Sequence, residues 1–96
     1  MAAAVKQAKE IQENIKRIKD EMASAAFEAS AGGDKATAVV TGDLRVVSVS
    51  FAEGVSSAEA GELAAAAVNA ALDNAKSSMQ EKIREATGGL NIPGLF

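Results

Sequence analysis

The stretch from residue 27 to residue 51, FEASAGGDKATAVVTGDLRVVSVSF, constrains the fold most, because it alternates β-favouring residues with turn residues. Gly32-Gly33-Asp34 predicts one turn, since glycine adopts a positive φ at little cost. Gly42-Asp43 fits a two-residue hairpin of type II′, in which glycine comes first. The pattern therefore predicts a three-stranded antiparallel meander over residues 26–51, with its second and third strands at residues 35–41 and 44–51.

The predicted sheet is partly apolar on both faces, which is an unstable arrangement for a small sheet alone. In the third strand, Val47, Val49 and Phe51 share one face, while Leu44 and Val46 share the other. The sheet also has open edges, which can pair with a strand of another chain. We therefore expect a homodimer joined through the sheet, with an interface that includes Val39, Val47, Val49 and Phe51.

Helices are predicted on both sides of the sheet. Over residues 3–25, apolar residues recur at spacings of four and three, which indicates a narrow seam that packs against one partner helix. Over residues 56–87, Ser56 followed by Glu59 predicts a capped helix start, and Gly88-Gly89 predicts the helix end. The chain is thus predicted to form one α+β domain over residues 1–96, of the type α-β-β-β-α. The seam consists of Ala4, Ala8, Ile11, Ile15, Ile18 and Met22.

Residues 90–96, LNIPGLF, form a tail that is apolar for an exposed segment. Two interpretations of this tail stay open. It can pack back on a helix of its own chain or of its partner, or it can act as a docking peptide for another protein.

The composition limits both the core and the chemistry. With three Phe, no Tyr, no Trp and many alanines in the 48% apolar fraction, the core is thin for 96 residues, which again favours an oligomer. The chain has no His and no Cys, so it lacks the ordinary general base, the usual metal ligands and any disulfide. We expect no catalytic residue, no metal, no cofactor and no small-molecule substrate. The absence of cysteines fits the cytosol. The longest apolar run is too short to span a membrane, and no signal-peptide core is found.

The charge pattern leaves two classes of function open. The formal net charge is −3, so a nucleic-acid site must be a local cluster of cations. The cations of the first helix fit a solvated face with intrahelical pairs such as Arg17–Glu21, or a set of phosphate contacts. The alternative is a dimeric adaptor or chaperone-like protein that binds other proteins through the helix seam or the tail. The candidate contacts to duplex DNA are Lys6, Lys9, Lys16, Arg17, Lys76, Lys82 and Arg84.

Several short motifs follow one another along nearly the whole chain: Lys6-Gln7-Ala8, Gly32-Gly33, Ala38-Val39-Val40-Thr41-Gly42, Val46-Val47-Ser48-Val49 and Gly88-Gly89-Leu90-Asn91-Ile92-Pro93-Gly94-Leu95. In their order and spacing they resemble the YbaB/EbfC family of bacterial nucleoid-associated proteins. The resemblance implies a tweezer-like homodimer that binds double-stranded DNA with modest sequence preference. It also implies a place in the cytoplasm, at the nucleoid, with a role in nucleoid organisation or gene regulation.

Overall fold

The computed structural model describes residues 2–86, with side chains from residue 5 onward. The element order is helix α1 (Ala2–Ser24), strands β1 (Ala26–Ala31), β2 (Ala36–Thr41) and β3 (Val46–Phe51), and helix α2 (Ser57–Ala86). The strands form one antiparallel sheet in the order β1-β2-β3, which confirms the predicted α+β fold. The predicted helix end at Gly88-Gly89 and the tail of residues 90–96 lie outside the described residues.

The core lies between α2 and the first two strands, and most of its members are alanines. Because alanines recur every four residues on α2 and at alternate positions on β2, the two backbones can approach closely. Ser56 fixes where α2 begins, since the Glu59 N–H lies 3.3 Å from the Ser56 hydroxyl as the capping box predicts. The fully buried residues of this core are Ala36, Ala38, Val40, Ala67, Ala71 and Ala75.

Strand β3 is the outer strand beside β2, and α2 barely reaches it. Val49 pairs with Ala38 and is half-buried, whereas Val47 is 61% exposed and Phe51 is 45% exposed. On its far side β3 pairs with no other strand of the described chain. The sheet therefore ends in an uncovered apolar strand.

The connection from β2 to β3 differs from the predicted type II′ hairpin. Positive φ occurs at Leu44 (66°) rather than at Gly42, and the Thr41 N–H donates to the Arg45 carbonyl, so three residues form the loop. This geometry is the three-residue hairpin whose last position is left-handed. As a consequence β3 begins at Val46 instead of residue 44.

The alternation predicted for the third strand also fails at its start. The pairing of β2 with β3 shifts between Val39 and Val40, so that Ser48 faces Val39 while Val46 faces Val40. Val47 is the extra residue of this irregularity, which is typical of a β-bulge. Val46 is therefore opposite a core residue of β2 and not, as predicted, on the face opposite Val47.

The second half of the predicted seam packs against the second half of α2, whereas Ala8 in its first half is exposed and Ile11 is half-buried. Ile15, Ile18 and Met22 are buried, and Ile83 of α2 is buried with them. The sheet meets this helix pair at Gly42, whose N–H donates to the Met22 carbonyl over 2.9 Å. We call α1 together with residues 76–86 of α2 the helical arm. It contributes to an elongated molecule of 64 × 21 × 17 Å.

Candidate nucleic-acid interface

The outer face of α1 carries a row of exposed lysines. Because Ile15, Ile18 and Met22 turn one side of the helix toward α2, the opposite side faces solvent. Lys9 and Lys16 lie on that side two turns apart, which is about 10 Å along the helix axis. Such a row can follow successive phosphates of a DNA backbone.

Glu13 and Asp20 lie on the same side of α1 as Lys9 and Lys16, so they lower the net charge of this row. Of the pairs expected from spacing, the structure forms Arg17–Glu21, with Nε and Oε1 separated by 3.9 Å on two mostly exposed side chains. No carboxylate in the described part of the chain lies within 4.0 Å of the Lys6, Lys9 or Lys16 ammonium. Exposed pairs stabilise a helix little, so entropy keeps these long side chains apart. The three lysines are thus available to an external anion.

The candidate cations of α2 fall into separate groups. Lys76 and Lys19 line one hollow at the junction of arm and sheet, and Lys82 and Arg17 line a shallow groove between the two helices. That groove is also lined by Glu21 and Glu85, which lower its net charge. Arg84 is exposed in the last described turn of α2 and already takes part in another interaction.

The arm does not gather all seven predicted contacts into one patch. Arg17 faces the end of α2, where Lys82 and Ala86 line the same groove. At about 1.5 Å per residue, Lys6 and Lys9 therefore lie about 12 to 16 Å further along α1, beyond the described cations of α2. The cations form a broken line along the arm, which suits an extended phosphate backbone better than a compact anion.

A hollow of about 450 Å³ opens at the junction of arm and sheet. We call it the junction hollow. Sequence reasoning missed it, because its members come from three elements and Leu44 was placed in a strand. No local signal predicts a left-handed leucine, a conformation that usually favours glycine or asparagine. The junction hollow is lined by Lys19, Gly42, Asp43, Leu44, Lys76, Met79, Gln80 and Ile83.

The residues predicted for the dimer interface divide between the two faces of the sheet. Val49 pairs with Ala38 and so shares the face that α2 covers. Val39 pairs with Glu28 and Ser48 on the other face. Val47, Val49 and Phe51 follow one another along the uncovered strand β3. One surface can therefore include those three residues, whereas Val39 contributes to a different, more polar one.

Metal and membrane sites have no support in the described part of the chain. Within residues 2–86, no three His, Cys, Asp or Glu side chains come together in a way that could hold a metal ion. None of the helices in this range is long and apolar enough to cross a membrane.

The sequence profile of the YbaB/EbfC DNA-binding family matches residues 1–90. The chain belongs to this family. A nucleoid-associated protein of Thermoanaerobacter pseudethanolicus is 41% identical to it, over 96% of this chain and 86% of the relative. A nucleoid-associated protein of Pseudomonas fluorescens is 37% identical, over 97% of this chain and 89% of the relative. A third, from Acetivibrio thermocellus, is 38% identical over 96% and 86%.

Membership of the YbaB/EbfC family confirms the resemblance found in the sequence. The family is a DNA-binding family and not a family of enzymes. Its match covers α1, the sheet and α2, so every surface described above lies within the shared region.

Proposed function

We propose that this protein binds duplex DNA as a homodimer, mainly through contacts between arm cations and phosphates. The observation that carries the proposal is the row of exposed, unpaired lysines on the outer face of α1 in a chain of the DNA-binding family. A chain with a formal net charge of −3 repels DNA at long range, so binding depends on these local cations. The names of the relatives support a place at the nucleoid in the cytoplasm. The proposal adds a role in nucleoid organisation or gene regulation.

The homodimer is proposed to form through β3. Val47 and Phe51 are large apolar residues that stay exposed in the single chain, which is typical of a surface covered by a partner. Beside them, β3 has an unpaired edge. A second copy of β3 would cover the apolar side chains and pair the free backbone groups. The dimer would then carry two arms, each with its own line of cations, as in the tweezer shape that the family resemblance implies.

Salt-dependent titration of duplex DNA tests the proposal. If each arm supplies about two or three phosphate contacts, the slope of log affinity against log salt is about −4 to −5, at about −0.9 per phosphate. Phosphate contacts do not read bases, so a preferred and a scrambled duplex should respond to salt alike.

A matched pair of double variants locates the contacts. Lys6→Ala with Lys9→Ala removes two cations from the arm, and Lys35→Ala with Arg45→Ala removes two cations from the loops of the sheet. Both variants lose two positive charges per chain, so they are matched in net charge, although Arg45 Nε already lies 3.7 Å from Asp43 Oδ2. We expect the arm variant alone to flatten the salt slope, by up to about three to four units, because the homodimer loses two contacts on each of its two arms at about −0.9 per contact. Equal losses in both variants would contradict binding through the arm.

A protein-binding adaptor is the second candidate function, and the exposed strand β3 is the observation that favours it. An apolar strand edge can also accept a strand of a different protein. Unlike the dimeric adaptor considered from the sequence, an adaptor that binds its partner through β3 would have the mass of one chain in light scattering, because no second copy would occupy β3. DNA affinity that stays absent at low salt would favour this alternative over the first.

A further inference from the structure

The junction hollow has an apolar wall. Contact with DNA phosphates requires cations and gives no role to such a wall. Leu44, Met79 and Ile83 supply its apolar wall, and Lys19 and Lys76 lie at its sides. Ile83 is buried and Met79 is half-buried, so part of the wall already belongs to the packing of the arm. Methionine adapts its shape to different partners, which suits the wall of a binding site.

Leu44 is held in this wall at a conformational cost. Its φ is 66°, which is left-handed, and its side chain remains 44% exposed. A left-handed conformation costs a residue with a Cβ roughly 1 kcal/mol, and glycine would avoid this cost. A costly apolar residue at the edge of an apolar hollow indicates that its side chain contacts something there.

We propose that residues 90–96 of the same chain bind in the junction hollow. The sequence after α2 supplies an occupant of matching chemistry, because residues 87–96 contain no charged side chain and include Leu90, Ile92, Leu95 and Phe96. Peptide carbonyls between these residues can accept hydrogen bonds from the Lys19 and Lys76 ammonium groups.

The hollow lies next to the end of the described part of α2, so the residues that follow α2 can reach it directly. Ile83 of the hollow lies within one helical turn of Ala86, where the described part of α2 ends. Gly88-Gly89 can reverse the chain at this point. From there, seven residues reach up to about 23 Å at about 3.3 Å each, while Ile83 to Lys76 covers about 10 Å of helix. The tail is therefore long enough to line the whole hollow.

Disulfide trapping tests this proposal, since the natural chain has no cysteine. Asn91→Cys keeps the apolar residues of the tail intact and is combined with Gln80→Cys, at the exposed edge of the hollow. The matched control combines Asn91→Cys with Glu81→Cys, which is equally exposed but points away from the hollow residues on α2. To correct for differences in thiol reactivity, single-cysteine variants Gln80→Cys and Glu81→Cys are each reacted with a small disulfide reagent. The disulfide rate of each pair is then divided by the rate of the corresponding single variant.

We expect the Gln80 pair to form a disulfide within one chain at least about tenfold faster than the Glu81 pair, because docking raises the local thiol concentration. Leu44→Gly, which suits the left-handed loop but removes the apolar wall, should lower the Gln80 rate by about tenfold. Equal rates for the two pairs, or no effect of Leu44→Gly, would overturn the proposal. Disulfides mainly between chains, seen as a dimer band without reductant, would overturn docking within one chain. None of these outcomes depends on DNA binding.

Discussion

Replacing Gly42 with alanine is expected to weaken the joint between the arm and the sheet. A Cβ at this position would overlap the Met22 carbonyl oxygen and lie 2.7 Å from the Met22 Cβ. Met22 is 1% exposed and cannot swing away into solvent. Gly42 does not have a positive φ, so the cost of the substitution is steric and not conformational.

The size of the effect follows from these contacts. Overpacking a core by one methyl group costs about 1 to 3 kcal/mol, and the strained Gly42 N–H to Met22 carbonyl hydrogen bond adds about 1 kcal/mol. We therefore expect the free energy of unfolding to fall by about 2 to 4 kcal/mol. With an m-value of about 2 kcal/mol/M, the urea midpoint would fall by about 1 to 2 M.

Two glycine controls separate the steric effect from other causes. Gly33 has a φ of 64° and open space where a methyl group would be added, so Gly33→Ala should cost only about 1 kcal/mol of left-handed strain. Gly61 lies inside α2 with open space, so Gly61→Ala should raise stability by about 0.5 to 1 kcal/mol. Urea unfolding followed by circular dichroism, at one protein concentration, measures all three. A Gly42→Ala midpoint equal to that of Gly33→Ala would refute the clash with Met22.

Three further outcomes are expected. Val47→Asp should raise the dimer dissociation constant while each chain stays folded, whereas Val49→Asp should weaken both dimer and fold because Val49 is half-buried; light scattering and thermal melting separate the two effects. Deleting residues 90–96 should leave a cooperative melting transition, and loss of that transition would mean that the tail belongs to the core. In the tail-deleted protein, Leu44→Gly should raise the free energy of unfolding by about 1 kcal/mol, because glycine relieves the left-handed strain; urea unfolding measures this, and a midpoint below that of the tail-deleted parent would contradict it.

The elements could be predicted from the sequence because their signals are local. The spacing of Ile15, Ile18 and Met22 marks a helix with one buried side, and Ser56 with Glu59 marks a helix start. The turn at Gly32-Gly33-Asp34 was predicted for the same reason, and all three of its residues have positive φ. In each case the residues that carry the signal also make the contact.

The junction could not be predicted, because its determinants lie far apart in the chain. Gly42 is needed because a Cβ at this position would clash with Met22, and it does not have a positive φ. The neighbouring residues do not distinguish these two reasons for a glycine. The left-handed Leu44 contradicts the usual preference of its residue type, so local propensity gave the wrong hairpin. The extra residue Val47 likewise depends on how β3 pairs with β2.

Helix α2 links the core to the arm and so relates the two proposed surfaces. Its 30 residues extend for about 45 Å, and its buried side passes from Ala67, Ala71 and Ala75 against the sheet to Ile83 against α1. In the proposed dimer, β3 fixes where two copies meet and α2 fixes how far each arm extends from that contact. A change at the Gly42 junction would therefore alter how α1 lies on α2 without moving α2 itself. DNA affinity should then fall through misplacement of Lys6 and Lys9, while the dimer persists.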